Sequence, residues 1–141
     1  MFKNIVCPVD FSTCSRHALA VAVELAKSSD AVLTLVHVWH VPSYGIADTV
    51  GSGTMIQELA EDAQRSLGDW EAGARGDGVK HVASKLMSGA PWSDVVRIAT
   101  ELQADLIVMG THGRTGLAHV LIGSVAERVV QHAACAVLVV R

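Results

Sequence analysis

The sequence contains no long hydrophobic run. Half of its 141 residues are apolar, yet no stretch approaches the roughly 18 consecutive apolar residues that a membrane-spanning helix requires. Met1 to Asn4 lead into a short apolar run that ends at Asp10, without the apolar core and small-residue cleavage site of a signal peptide. We therefore expect a chain that neither spans a membrane nor is exported.

Paired cysteines and an excess of positive charge are missing as well. The three cysteines, Cys7, Cys14 and Cys135, are odd in number and form no CxxC motif, which favours a reducing cytosol over an oxidising compartment. The formal net charge of −3 gives no electrostatic basis for binding nucleic acid. These features predict a cytoplasmic globular protein, and the length predicts a single domain over residues 1–141.

Several motifs of enzymes and metalloproteins are also absent. The chain has no HExxH or Cys/His zinc spacing, no GxSxG nucleophile elbow, no Walker A sequence and no GxGxxG fingerprint. We therefore interpret the seven histidines as loop or core residues rather than metal ligands. The sequence predicts no catalytic side chain and no prebuilt metal site.

Strand-like apolar runs alternate with helical periodicity along the chain. The strand candidates span residues 4–9, 31–39, 79–87, 105–109 and 136–140, and the helix candidates begin near residues 12, 54, 93 and 124. Such alternation is typical of parallel strands joined by right-handed crossovers. We predict a three-layer α/β sandwich, with a five-stranded parallel sheet of the flavodoxin or Rossmann type, strand order 3-2-1-4-5, and helices on both faces.

In sheets of this kind, ligands bind beyond the carboxyl ends of the strands, where the strand order reverses. In this chain those places are after the first strand, at Pro8, Val9 and Asp10, and after the fourth strand, from Gly110 onward. Pro8 has no amide hydrogen, so the first strand must end or distort there. If strands one and four are neighbours, both segments face one crevice.

The second of these segments, residues 109–125, is the most informative part of the sequence. Gly110, Gly113, Gly123 and Ser124 lie between a strand end and a helix start, where unobstructed backbone amides and the helix macrodipole favour an anion. The alternative to an anion site is a loop that merely reverses the chain. This loop has about a dozen residues, however, which is more than such a connection needs. Three side chains in it suit anionic oxygens: His112, Arg114 and His119.

The motif Gly-Thr-His-Gly-Arg-Thr-Gly, six residues, Gly-Ser-Val-Ala-Glu-Arg-Val-Val resembles the ATP-binding signature of the universal stress protein family. Residues 3–12, 36–38, 89–91 and 104–110 resemble other segments of that family, so the resemblance covers the whole chain. It implies a five-stranded sheet, usually in a dimer, with ATP in the crevice. Members that do not bind ATP lack this glycine pattern, so the resemblance implies the ATP-binding subgroup.

The resemblance also implies a role for each matching residue. One group would line the adenine and ribose: Pro8, Val9, Asp10 and Val38. A second group would lie beneath the nucleotide: Met109 and Gly110. A third would hold the phosphates through backbone amides and one hydroxyl: Gly113, Gly123, Ser124 and Val125. Arg114 joins this third group as a cation suited to phosphate.

Asp10 has two interpretations. The structural one is a carboxylate at the N-terminus of the first helix, stabilised by the helix dipole. The functional one, which we favour, is a group near the ribose or near a divalent ion on the phosphates. Mg²⁺ or Mn²⁺ would arrive with the nucleotide, because such ions prefer phosphate oxygens and water together with one or two carboxylates.

These features favour a non-catalytic ATP-binding regulatory module of the stress response, in which ATP acts as an effector. A slow ATPase or an adenylyl-transferring enzyme is the second hypothesis, although the glycine segment offers no strong general base and no candidate arginine finger other than Arg114. Residues 10–15 also lack the Ser-Gly-Gly-x-Asp-Ser loop of adenylyl-transferring folds. An adaptor with a vestigial pocket is the third hypothesis.

The apolar strand from Ala136 to Val140 predicts a homodimer. It is the last strand in the predicted order, so we expect it at an edge of the sheet. A bare apolar edge recruits other chains, and pairing with the same strand of a second copy gives a two-fold dimer. No further protein partner is indicated by the sequence.

Overall fold

The computed structural model describes residues 1–40, 52–113 and 122–141. Strands and helices alternate along it: β1 Asn4–Pro8, α1 Thr13–Ser29, β2 Val32–Trp39, α2 Ser52–Gly76, β3 His81–Ser88, α3 Pro91–Glu101, β4 Leu106–Gly110, α4 Ser124–His132 and β5 Ala136–Val140. All strand pairs are parallel, and the sheet order is β3-β2-β1-β4-β5. The predicted fold class and strand order are confirmed.

Helices cover both faces of the sheet because side chains of the buried strands alternate between the faces. In β1, Ile5 and Cys7 belong to a core cluster that also contains Ala18 of α1 and Leu67 of α2. Val6, which lies between them in sequence, belongs to a second cluster. That cluster includes residues of α3 and α4: Val95, Ile98, Ala99, Ala126 and Val129. Two cores, one on each face, therefore make the three layers.

The strand order reverses beside β1. The chain leaves β1 toward β2 on one side and later returns to place β4 on the other, so a crevice opens at the carboxyl ends of β1 and β4. As expected for proline, β1 ends at Pro8. The next amide, that of Val9, donates to the Val36 carbonyl at 2.8 Å and keeps the chain beside β2 as it leaves the sheet.

The two edges of the sheet differ. Side chains of α2 reach the β3 edge: the Arg75 guanidinium donates to the Val82 carbonyl at 2.9 Å and to Glu71 at 2.6 Å. β5 forms the other edge, as predicted, and its Leu138 is 38% exposed. Within the described ranges, no helix combines the length and apolar character needed to cross a membrane.

Candidate functional site

The turn between β1 and α1 brings Asp10 to the start of a helix. Ser12 caps α1 by accepting the Ser15 amide at 3.1 Å. The Asp10 carboxylate accepts the Ser12 amide through Oδ1 at 3.0 Å, and the Asp10 amide donates to the Ser15 hydroxyl at 3.3 Å. Oδ1 of Asp10 therefore has the structural role of a carboxylate at the N-terminus of α1. Any role of Asp10 in ligand binding depends on where Oδ2 lies.

Oδ2 of Asp10 faces the segment that follows β4. A Cβ added to Gly113 would lie 3.0 Å from this oxygen. A Cβ on Gly110 would lie 2.9 Å from the backbone carbon of Cys14 in α1. Gly110 at the end of β4 and Gly113 beyond it thus permit close approach between the segments that follow the neighbouring strands β1 and β4.

The start of α4 is held by backbone contacts rather than by a capping side chain. The Gly123 amide donates to the Thr111 carbonyl at 2.6 Å, and a Cβ on Gly123 would lie only 2.9 Å from the same oxygen. Gly123 is the N-cap of α4 and has no side chain to bond the first helical amides. Those amides and the positive end of the helix dipole therefore suit an anion.

A cavity of about 430 Å³ lies between these segments. Its lining is mostly apolar, and it also includes glycines and hydroxyl-bearing side chains. The residues that line it are Pro8, Val9, Asp10, Ser15, Val36, Val38, Pro91, Val95, Met109, Gly110, Thr111, His112, Gly113, Gly123, Ser124, Val125 and Ala126.

The structure brings the candidate site residues of the sequence together around this one cavity. Every one of them lines it except Arg114, which lies outside the described residues, as does His119. Met109 is buried, whereas Gly113 and Ser124 are exposed at the mouth. Residues from β1, β2, β4 and α4 therefore meet at the point that the strand order predicts.

Sequence reasoning did not identify several lining residues. Pro91 and Val95 come from the first turns of α3, which begins at the same end of the sheet. Val36 precedes Val38 by two positions on β2, so strand periodicity gives a signal for it. Ser15 and Thr111 gave no such signal, because their place at the cavity depends on how the segments after β1 and β4 pack together.

Two histidines contact the segments around the cavity. In His112, Nδ1 lies 3.0 Å from the Thr111 hydroxyl. In His37, Nδ1 lies 2.7 Å from the Val9 carbonyl, and because a carbonyl oxygen only accepts, this nitrogen carries the hydrogen. Among the described residues, no three His, Cys, Asp or Glu side chains are grouped closely enough to hold a metal ion.

The thiols differ in their surroundings. Cys7 is fully buried in β1, and burial raises the pKa of its thiol to about 12, which keeps it protonated and unreactive. Partial burial also raises the pKa of the Cys135 thiol. Cys14 is half-buried in α1, with its Cβ 3.0 Å from the point where a Cβ on Gly110 would lie.

Comparison with known sequences identifies one protein family over the full length of the chain. The model of the "Universal stress protein family" matches residues 1–141. A universal stress protein of Methanocaldococcus jannaschii is 40% identical over 142 aligned positions, which cover 100% of this chain and 83% of the relative.

Solved structures of similar proteins share the fold. The universal stress protein UspA from Lactobacillus plantarum superposes with a TM-score of 0.86 at 28% identity, covering 99% of this chain and 97% of that one. A universal stress protein solved in complex with cAMP superposes with a TM-score of 0.77 at 26% identity, again covering 99% and 97%.

Proposed function

This chain belongs to the universal stress protein family, and we propose that it is an ATP-binding regulatory module rather than an efficient enzyme. One observation carries the proposal: a single cavity at the reversal of strand order joins an apolar wall to a glycine-rich helix start. The similar protein solved with cAMP gives independent support for an adenine nucleotide as the ligand class.

The apolar wall suits a purine base. Val36 and Val38 of β2, Pro91 and Val95 of α3, and Met109 of β4 all line the cavity. A flat heteroaromatic ring between such side chains would have both of its faces shielded from water. This burial contributes roughly 25 cal/mol per Å² of apolar surface removed from water. Small-molecule pockets generally combine such walls with a few polar groups that fix orientation.

The part of the lining near the start of α4 suits phosphate groups. Gly113 and Ser124 line the cavity and are exposed, and Ser124 begins α4, whereas the Gly123 amide already donates to the Thr111 carbonyl. Aligned peptide dipoles place a partial positive charge at that end of the helix. Because Gly123 brings no side chain to the first turn, phosphate oxygens can reach the amides of that turn without displacing a capping group.

A divalent cation fits the site only as a companion of the nucleotide. Asp10 is the one acidic side chain among the described lining residues, and its Oδ1 already accepts the Ser12 amide. A single carboxylate cannot hold Mg²⁺ or Mn²⁺ by itself, since Mg²⁺ requires six oxygen ligands. Oδ2 of Asp10 would supply one ligand, and phosphates and water would supply the others.

A slow ATPase is the second candidate. Asp10 and His112 are the ionisable side chains among the described residues that line the cavity. His112 bonds Thr111 through one ring nitrogen, and Asp10 bonds the backbone through one oxygen, which are arrangements that fix orientation. We therefore expect at most slow hydrolysis of ATP. The third hypothesis, an adaptor with a vestigial pocket, predicts no nucleotide binding at all.

We further propose that the protein is a homodimer joined through β5. The supporting observations are the position of β5 at the sheet edge and the partial exposure of Leu138 on it. At the β3 edge, by contrast, Arg75 already occupies the Val82 carbonyl.

Calorimetric titration with ATP, with and without Mg²⁺, tests the proposed function. We expect saturable binding of one ATP per chain, and a release assay with γ-labelled ATP is expected to give turnover far below 1 s⁻¹, the low end of ordinary enzymes. No heat and no protection from thermal unfolding by ATP would overturn the proposal. Turnover of 1 s⁻¹ or faster would favour the enzyme instead.

A further inference from the structure

Phe11 adopts a backbone conformation that its side chain disfavours. Its φ is 64°, in the left-handed region, although it carries a Cβ and a bulky ring. Such conformations persist only where the surrounding structure enforces them, and they concentrate at ligand sites. Phe11 lies between Asp10, which lines the cavity, and Ser12, which caps α1. The conformation of Phe11 therefore governs how the chain presents the Asp10 carboxylate.

Two aromatic side chains, His37 and Trp70, contact the Phe11 ring on the face of the sheet that α1 and α2 cover. The ring of His37 lies 4.6 Å from that of Phe11, centroid to centroid, with 41° between the planes. Trp70 of α2 packs edge-on against Phe11 at 5.3 Å and 83°. The Arg16 guanidinium lies 4.7 Å above the Trp70 ring. Residues from β2 and α2 thus contact the ring of the strained residue, and Arg16 of α1 packs on the second of them.

His37 adds a hydrogen bond to the residue before Asp10. Its Nδ1–H donates to the carbonyl of the buried Val9 at 2.7 Å. His37 lies on β2 between Val36 and Val38, which both line the cavity, so strand alternation turns His37 to the opposite face. His37 therefore acts on the cavity through Val9 and Phe11, without lining it.

We propose that His37 is a positioning residue for the ligand site. Its hydrogen bond fixes Val9 on one side of Asp10, and its ring supports Phe11 on the other. Together these contacts hold residues 9–12 in the conformation that directs Oδ2 of Asp10 toward Gly113. The consequence for affinity rests on the proposed ATP binding, whereas the hold on residues 9–12 does not.

Two substitutions separate the hydrogen bond from the ring. His37→Asn retains an N–H donor near the position of Nδ1 and removes the ring, whereas His37→Phe retains a ring and removes the donor. The readout is hydrogen exchange of the Ser12 amide, measured by NMR without nucleotide, because this amide donates to Oδ1 of Asp10. We expect His37→Phe to speed this exchange about tenfold, the scale of one buried hydrogen bond.

His37→Asn is expected to change the Ser12 exchange rate less than about threefold, and amides of β4 serve as the internal reference in both variants. Unchanged exchange at Ser12 in His37→Phe would overturn the proposal. Should His37→Phe fail to fold, His37→Leu replaces it, because leucine likewise lacks a donor for the Val9 carbonyl. Several-fold faster exchange at Ser12 is expected there, and no change would equally overturn the proposal.

The effect on ATP binding gives a second measurement. His37→Phe is expected to raise the Kd of ATP about tenfold in the wild-type background and to leave it nearly unchanged in an Asp10→Asn background. A loss of equal size in both backgrounds would show that His37 does not act through Asp10. If the wild-type chain binds no ATP, the proposed function fails, and exchange at Ser12 still decides the role of His37.

Discussion

Asp10 and Gly113 lie side by side in the lining of the cavity, so that a Cβ on Gly113 would lie 3.0 Å from Oδ2 of Asp10. The two residues are 103 positions apart in sequence and meet because β1 and β4 are neighbours in the sheet. The contact brings a carboxylate close to a segment suited to phosphates. A cation bound between them would reconcile these charges.

Gly113→Val tests this juxtaposition. The added methyl groups would displace the Asp10 carboxylate and occupy space proposed for phosphate, so we expect the Kd of ATP to rise at least tenfold. Gly113 is exposed, so the urea midpoint should change little. Gly73→Val is the matched control, because no heavy atom lies within 4 Å of a Cβ at Gly73. Equal ATP affinity in both variants would refute the site assignment.

Gly123→Ala is expected to affect stability as well as binding. Its Cβ would lie 2.9 Å from the Thr111 carbonyl oxygen, which belongs to the backbone and cannot rotate away. We expect the hydrogen bond between Gly123 and Thr111 to lengthen and the free energy of unfolding to fall by about 1–3 kcal/mol. Urea denaturation measures this change, and a variant as stable as the wild type would contradict it.

Asp105 is expected to make stability depend on pH in the acid range. Its carboxylate accepts the amides of Lys3 at 2.6 Å and Asn4 at 2.8 Å. The bonds to Asn4 and then to Lys3 lower the pKa of Asp105 in the folded state. The ionised form therefore stabilises the fold above the ordinary aspartate pKa of about 3.9, and this contribution disappears as pH falls through the lower folded pKa.

Asp105→Asn removes that charge. We expect a lower urea midpoint than that of the wild type at pH 7, with the difference shrinking as pH falls below about 4. A difference that stays constant between pH 7 and pH 3 would show that the loss does not come from ionisation.

Leu138→Lys tests the proposed dimer. Leu138 is exposed on the β5 edge, and a lysine there would place like charges in a two-fold strand pairing. We expect wild-type protein to scatter light as a dimer at micromolar concentration and the variant to scatter as a monomer. ATP affinity should persist in the variant, because Leu138 does not line the cavity. A wild-type monomer would contradict the proposal directly.

The apolar runs and helical periodicity of the sequence were sufficient to predict the alternation of strands and helices. Val6 belongs to one core and Cys7 to the other, so β1 is apolar on both faces and was recognisable as a continuous apolar run without its neighbours. The glycines from Gly110 onward were equally informative, because the absence of a Cβ permits the close approach that the structure shows at Gly110, Gly113 and Gly123. These two signals located both sides of the cavity.

Other features depend on contacts between distant segments. Nothing in the sequence marks Phe11 for a positive φ, since phenylalanine has no preference for it; the conformation follows from packing against His37 and Trp70. Thr111 lines the cavity because the start of α4 folds back on its carbonyl. The prediction for Arg114 concerns a residue beyond the described ranges and stays a prediction.

The unequal edges of the sheet limit how copies of this chain can associate. A filament built by strand addition needs two open borders on every subunit, one to receive a neighbour and one to offer. Arg75 is bound to one carbonyl of β3, so that border is partly occupied, whereas β5 forms the other border. When copies pair only through β5, each pairing uses the β5 strand of both subunits and leaves none for a third copy, so growth stops at two.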